Sequence, residues 1–390
     1  MVFCNRLLAA TLATLIIALP AQADTLTVRI GYLHWIPDQG PVLSNVIPAP
    51  EDSGLRGADL AIADNRTTGK FLGQNYLLEQ RISDSQADTV AAFESLQKAG
   101  IDLFVVNAPA SALTALVNAA DEHTLLMNAG AKDDDLRTDE CHPNLVHTIP
   151  SYSMLTDALG QWLNQRRWQQ VFMITGPTDE DQAWAQAFRR SAKRFGLDLV
   201  ADKPWTFDTD LRRMASKELP VFTQHGDYDA VVVADVHGDF GEYVPFNTWL
   251  PRPVVGTQGM SPVAWHRVVE SWGAAQLQKR FSDLADRNMN NEDYAAWAAV
   301  RSIGTAVTQL GEANPTSIRN FLLGDQFQLA GFKGRKLTYR SWNGQLRQPI
   351  PLVHPRGLVA QAPFDGYLHS KSQMDTLGFD EPESTCRISG

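Results

Sequence analysis

The sequence predicts an α/β protein built as two doubly wound lobes. Short apolar runs with strand character alternate with stretches of helical spacing from Leu26 onward. The alternation halts at Pro150 and then restarts. At 390 residues the chain is long enough for two separate cores.

Apolar content of 44% and charged content of 20% are ordinary for a folded chain. A net charge of −10 argues against a general nucleic-acid binder, which needs a basic face. It also gives no polybasic reason to sit on an anionic membrane. Arg6, the apolar run Leu7–Leu19 and the Ala21-Gln-Ala23 pattern predict a signal peptide over residues 1–23, cut before Asp24. That run is too short to span a bilayer. Cys4 precedes it, so it is not the lipidated cysteine of a lipoprotein. The exported chain then keeps Cys141 and Cys386. An oxidising compartment favours their pairing as a disulfide.

In order, Leu26–Leu33 reads as a strand and residues 36–57 as a Pro- and Gly-rich loop. Gly57–Asn65 has helical spacing, and Thr67-Thr-Gly-Lys70 reads as the turn that closes it. Tyr76–Ile82 is a strand and Ser85–Ala99 a helix stopped by Gly100. Ile101–Val106 is a buried strand, Ala110–Asp121 a helix, Thr124–Asn128 a strand, Ala129–Asp139 a polar loop and Leu145–Ile149 a strand. Ser151 or Ser153 caps the next helix, which runs to Arg167. Gln170–Thr175 is a strand, Gly176–Asp181 a loop, Gln182–Phe195 a helix and Leu197–Ala201 a strand. Leu211–Phe222 is helical with a break at Pro220, and Asp229–Asp235 and Pro253–Gly256 are strands. Pro262–Arg280, Glu292–Gly311 and Thr316–Leu323 read as helices without strand partners. They must therefore return to a sheet already built. Lys333–Arg347 reads as a hairpin turning at Trp342-Asn-Gly-Gln345, Ile350–Val359 as one strand, and Phe364–Gly390 as a polar tail. The first lobe then comprises residues 24–148 and 262–333, the second 149–261 and 334–363, and the tail 364–390.

The run Ile30-Gly-Tyr-Leu33, then Gly57–Asn65, then Thr68-Gly69, is followed by Phe104-Val-Val106, Asn144–Pro150, Val171–Thr175 and Val231–Asp235. In that order they resemble periplasmic solute-binding proteins of the leucine/isoleucine/valine-binding type. Glu51–Gln74, Gly256–Gln278 and Gly331–Pro351 are most similar to the branch associated with PQQ-dependent alcohol dehydrogenase systems. The resemblance implies the type I periplasmic binding protein fold, with a three-strand hinge that lets the lobes close on a ligand. It implies a periplasmic monomer that binds a small molecule and delivers it to an ABC permease of the inner membrane. It calls for no catalysis and no cofactor. The sequence itself lacks the Gly-x-Ser-x-Gly, His-Glu-x-x-His and phosphate-loop signatures of enzymes.

In this architecture the ligand meets strand-end loops. These are Tyr32–Asp38, Asn107–Ser111 and Ala129–Asp134 in the first lobe, and Gly176–Trp184, Asp235–Tyr243 and Thr257–Gly259 in the second. The expected ligand-binding residues are Tyr32, Trp35, Ser111, Gly130, Trp184, Asp235, Asp239 and Gln258. Trp35 and Trp184 would wall the cleft from opposite sides. Ser111 keeps one hydroxyl where amino-acid binders use several. Gly130-Ala131 stands where such binders present Ser or Thr, which disfavours an amino-acid ligand. Free amides there, or Lys132, would still take an anion. Asp235 would meet a cationic, amide or hydroxyl group. An alternative reading makes Asp235, His237 and Asp239 a metal site among the acidic runs Asp133–Asp135 and Asp179–Asp181. A third makes the chain a sensor or a partner subunit of a dehydrogenase or receptor.

Overall fold

A computed structural model describes residues 25–36, 49–206 and 211–388. The expected signal peptide and most of the loop after Trp35, Asp38 included, lie outside them. The first lobe begins with β1 (Leu26–Trp35), α1 (Leu55–Leu72), β2 (Gln74–Ser83), α2 (Gln86–Lys98) and β3 (Leu103–Asn107). It continues with α3 (Ala110–Ala119), β4 (Leu125–Asn128), the short α4 (Asp135–Thr138) and β5 (Leu145–His147). Its strands form one parallel sheet in the order β2-β1-β3-β4-β5. Helices cover both faces, so β3 is buried along its whole length and reads as an unbroken apolar run.

The second lobe holds α5 (Tyr152–Gln165), β6 (Gln170–Thr175), α6 (Asp179–Phe195), β7 (Asp198–Pro204), α7 (Leu211–Phe222), β8 (Ala230–Ala234) and β9 (Val254–Gly256). Its parallel sheet runs β7-β6-β8-β9. After β10 (Ser261–Pro262) come α8 (Ala274–Ala285), α9 (Asn291–Leu310) and α10 (Pro315–Leu323). These pack on the first lobe: Leu277, Phe281, Trp297, Ile303 and Ile318 share one core with Val28, Ile30 and Val105. β11 (Leu329–Ala330), β12 (Lys336–Tyr339) and β13 (Leu346–Arg347) form a small antiparallel sheet. It places Leu337, Tyr339 and Leu346 in that same core. The chain therefore crosses back after Arg347, later than the sequence division at residue 333. β14 (Ile350–His354) and β15 (Gly357–Ala362) join β10, and Ile350, Leu352 and Ala362 fill the second core.

Five readings need correction. Thr67–Lys70 is no turn; α1 runs through it to Gly73, whose φ of 66° ends the helix. Gly69 is there because a Cβ would lie 2.6 Å from the Gln74 carbonyl oxygen. α6 starts at Asp179, because Thr178 and Asp181 cap it reciprocally. The acidic run Asp179–Asp181 is therefore a first helical turn, where carboxylates complement the helix dipole. Residues 263–273 are irregular rather than helical, and Trp272 and Gly273 take positive φ just before α8. Ile350–Val359 is broken by a tight turn at Pro355-Arg356, where His354 pairs with Gly357. The polar tail is packed: Leu377 lies in the second core, and Cys386 is bonded to Cys141.

α1 and α9 touch at their backbones. A Cβ on Gly57 would lie 1.8 Å from the Asp293 carbonyl oxygen, and one on Gly304 would lie 2.3 Å from the Asn65 side chain. Overfilling a close-packed contact costs about 1–3 kcal/mol. Gly57→Ala is thus expected to push α1 off α9 and lower the melting temperature in scanning calorimetry. An unchanged transition would show that the helices part without cost.

Candidate ligand-binding cleft

A cleft of about 1340 Å³ opens at the carboxyl ends of the strands and takes residues from both lobes. The first lobe contributes His34 and Trp35 from the end of β1, Ser53, Ser83, Asn107 from the end of β3, and Gly130–Asp133 after β4. Asn291 and Glu292 join them from the first turn of α9. The second lobe contributes Tyr152 at the start of α5, Glu180, Val236 and His237.

Of the eight expected ligand residues, Trp35 and Gly130 line this cleft. Tyr32 lies beneath it, fully buried, with its hydroxyl donating to the Ser53 carbonyl at 3.1 Å. Ser111 is exposed on the first turn of α3, outside the lining. Trp184 is buried in the second core and stacks on Phe188, with ring centroids 5.7 Å apart. The early start of α6 turns it onto the helix's apolar face. Asp235 is buried at the end of β8, where its carboxylate accepts the amides of Asp239 (2.9 Å), Phe240 (3.1 Å) and Gly241 (2.6 Å). Burial raises its pKa against those bonds. Its role in the structure is to shape its own loop. Asp239 is exposed, and Gln258 packs against Gly241 away from the lining.

His237 is the one residue of the alternative metal set that reaches the cleft, with Nε2 3.5 Å from Glu180 Oε2. Among the described residues, no group of three or more His, Cys, Asp or Glu is placed to hold a metal ion.

The amides of Gly130 and Ala131 are not free for an anion. They donate to Asn128 Oδ1 at 3.0 and 2.9 Å, while Asn128 Nδ2 donates to the Ala131 carbonyl at 2.8 Å. The cation of this loop is Lys132, whose Nζ lies 2.8 Å from Glu292 Oε1. The two side chains are only 20% and 25% exposed. Burial works to raise the Glu292 pKa, but the Lys132 ammonium outweighs it and holds the carboxyl below its usual value. Beside them, burial lowers the pKa of His34 against the pull of Glu292 and Asp52. Its ring is therefore neutral at pH 7. His34 Nδ1 and Trp35 Nε1 are buried without a partner among the described residues. His34 lies in the strand-end loop Tyr32–Asp38 without being among the expected ligand residues, and Glu292 carried no local signal, because it reaches the cleft only once α9 packs on the first lobe.

Residues 27–218 match the periplasmic binding protein family. No curated protein matches the chain by sequence. Among solved structures, a branched-chain amino acid ABC transporter ligand-binding protein from Burkholderia xenovorans LB400 is similar, with a TM-score of 0.71 and 16% identity over 93% of this chain and 100% of that one. A solute-binding protein from R. palustris in complex with benzoate gives 0.66 and 15% over 87% and 98%. LivJ from Streptococcus pneumoniae, in complex with isoleucine, gives 0.62 and 15% over 87% and 99%. The chain thus takes the two-lobed type I periplasmic binding protein fold, and its residues 27–218 match a periplasmic binding protein family in sequence.

Proposed function

We propose that this protein is the periplasmic solute-binding component of an ABC importer, and that its lobes close on a small polar or aromatic organic molecule. The cleft carries the reading. It lies between two lobes joined by crossing strands, at the strand ends where such folds take ligands, with Trp35 and Tyr152 as aromatic walls and Lys132–Glu292 as its polar group. Similar folds hold benzoate or isoleucine. The Gly130-Ala131 loop has no hydroxyl and spends its amides on Asn128, which favours a solute other than an α-amino acid. The likeness of Glu51–Gln74 to the PQQ-linked branch favours an alcohol, an acid formed from one, or PQQ itself.

Thermal-shift and calorimetric titration against organic acids, alcohols, PQQ and branched-chain amino acids test this. One of the first three classes is expected to raise the melting temperature, and Trp35→Ala to weaken its binding about tenfold or more. Binding of branched-chain amino acids alone would overturn the solute class. Failure of every organic solute would overturn the importer reading.

Trp184→Ala should behave differently. It is expected to cost about 3–5 kcal/mol of stability in denaturant titration, as loss of a buried indole does, and to leave the order of solute preference intact. A selective loss of one solute would return Trp184 to the site.

The ion pair makes a pH prediction. Glu292 is held below its usual carboxyl range when folded. Its contribution to stability is therefore present above the unfolded value of about 4.3 and is lost as pH falls through the depressed one. In Lys132→Met, burial loses its main opponent and only the Glu292 backbone hydrogen bond and His34 still pull the other way, so carboxyl-carbon NMR is expected to find Glu292 titrating above its usual value. A value still below it would remove Lys132 as the cause.

A further inference from the structure

The tail, residues 364–388, makes a crossing between the lobes that the three-strand hinge does not include. On the second lobe, the Phe364 amide donates to Gln161 Oε1. The Gly378 amide donates to buried Asp157 at 2.8 Å, and the Gly378 carbonyl accepts from Arg194 at 2.8 Å. Arg190 stacks 3.9 Å over Phe379 and reaches Glu383 at 3.0 Å. On the first lobe, Asp375 is gripped by Arg340 and Arg347 of the β12–β13 hairpin at 2.9 and 2.8 Å. Further on, the Thr385 amide donates to the Thr138 carbonyl at 2.9 Å, and Ser384 Oγ donates to the Arg137 carbonyl at 3.0 Å. Cys386 then closes the crossing covalently on Cys141.

The place of attachment gives this crossing its leverage. Arg137, Thr138 and Cys141 directly follow the cleft-lining stretch Gly130–Asp133. Arg137 donates back into that stretch, to the carbonyls of Ala131 (3.0 Å) and Asp133 (2.8 Å). The Tyr152 amide, where the first crossing enters the second lobe, donates to the Lys132 carbonyl at 2.9 Å. A pull on Cys141 therefore reaches both the cleft loop and the hinge.

The geometry points to a latch: the tail and its Cys141–Cys386 clasp fix the cleft loop and restrain the lobes against each other, and opening the disulfide releases both. A dithiol supplies the chemistry. Its thiolate attacks Cys141 Sγ, which sits on the partly exposed residue, while Cys386 is fully buried. The S–S bond breaks, two electrons and two protons pass to the cysteines, and the dithiol becomes a disulfide. The latch rests on the fold and not on the identity of the solute.

Hydrogen-exchange mass spectrometry of the folded chain, oxidised and after reduction by dithiothreitol, tests this. Reduction is expected to speed exchange at least about tenfold in 129–140, 145–152 and 384–388, and to leave α6 and α9 protected. Reoxidation should restore protection, and Cys386→Ser should show the released pattern without reductant. Unchanged protection of 129–140 on reduction would overturn the latch. Equal loss of protection in α6 and α9 would also overturn it, because the disulfide would then be a general stabiliser.

Discussion

A single buried cation, Arg137, sets the geometry on which the cleft depends. It is 2% exposed on the short α4 and makes no direct ion pair among the described residues. Burial pulls its pKa down to about 10, against the upward pull of Asp134 and Asp133, so the guanidinium stays charged near neutral pH. A buried charge has to be met by hydrogen bonds. Here neutral oxygens meet it: Gln345 Oε1 (2.9 Å) and the carbonyls of Asp133, Ala131 and Ile149. Those oxygens come from the cleft loop, the first crossing and the hairpin before the last crossing. Solvating one cation therefore ties the cleft loop and the first crossing to a hairpin 208 positions further along the chain.

The crossings continue in the same polar style. Gln345 Nε2 donates to the Ile149 carbonyl at 3.1 Å and Gln348 Nε2 to the Thr148 carbonyl at 2.7 Å, which joins the first crossing to the last. Lys333 is buried over the Tyr294 ring, and its Nζ donates to Gln348 Oε1 and the Pro349 carbonyl. Burial pulls its pKa well down. The lobes have dense apolar cores and resist internal deformation. Directional hydrogen bonds at the crossings, by contrast, define a resting angle. The chain passes between the two cores near His147, Pro262 and Arg347, and the tail adds a further link, so a hinge in this fold has few places to bend.

Much of this was legible in the chain because burial on both faces leaves a plain mark. β3, β6 and β8 are continuous apolar runs, and their helices end at Gly100 and Gly196 as the sequence indicates. The misreadings have physical causes. Gly69 looked like a turn signal, but it serves close packing inside α1. The acidic triplet after Thr178 looked like a loop. Thr178-x-x-Asp181 is in fact a cap that starts the helix at Asp179 and so puts Trp184 in its second turn, packed on Phe188, instead of at the expected helix start beside the loop. Trp35 falls in the strand-end loop Tyr32–Asp38 that the sequence offers, and in the structure it ends β1 and lines the cleft. The Lys132–Glu292 pair spans 160 positions and leaves no trace in either neighbourhood.

Asn128 explains why the site moved away from its loop. It is fully buried at the end of β4, and Oδ1 takes two amides of the turn that follows. Its Nδ2 faces His147 Nδ1 at 3.0 Å, a contact that suits a neutral ring, and burial holds the His147 pKa well down. The turn is therefore closed on itself, and its backbone has little to offer a ligand. What the cleft presents instead are side chains at the rim: Lys132, held by Glu292 from α9, and the His34-Trp35 end of β1. Each is carried by a different element of the first lobe. A site of that kind exists only once α9 has docked on α1 through Gly57 and Gly304. The contact of Gly57 with Asp293, one residue from the cleft-lining Glu292, thus bears on the proposed site, since any shift of α9 carries Glu292 with it and changes what Lys132 presents.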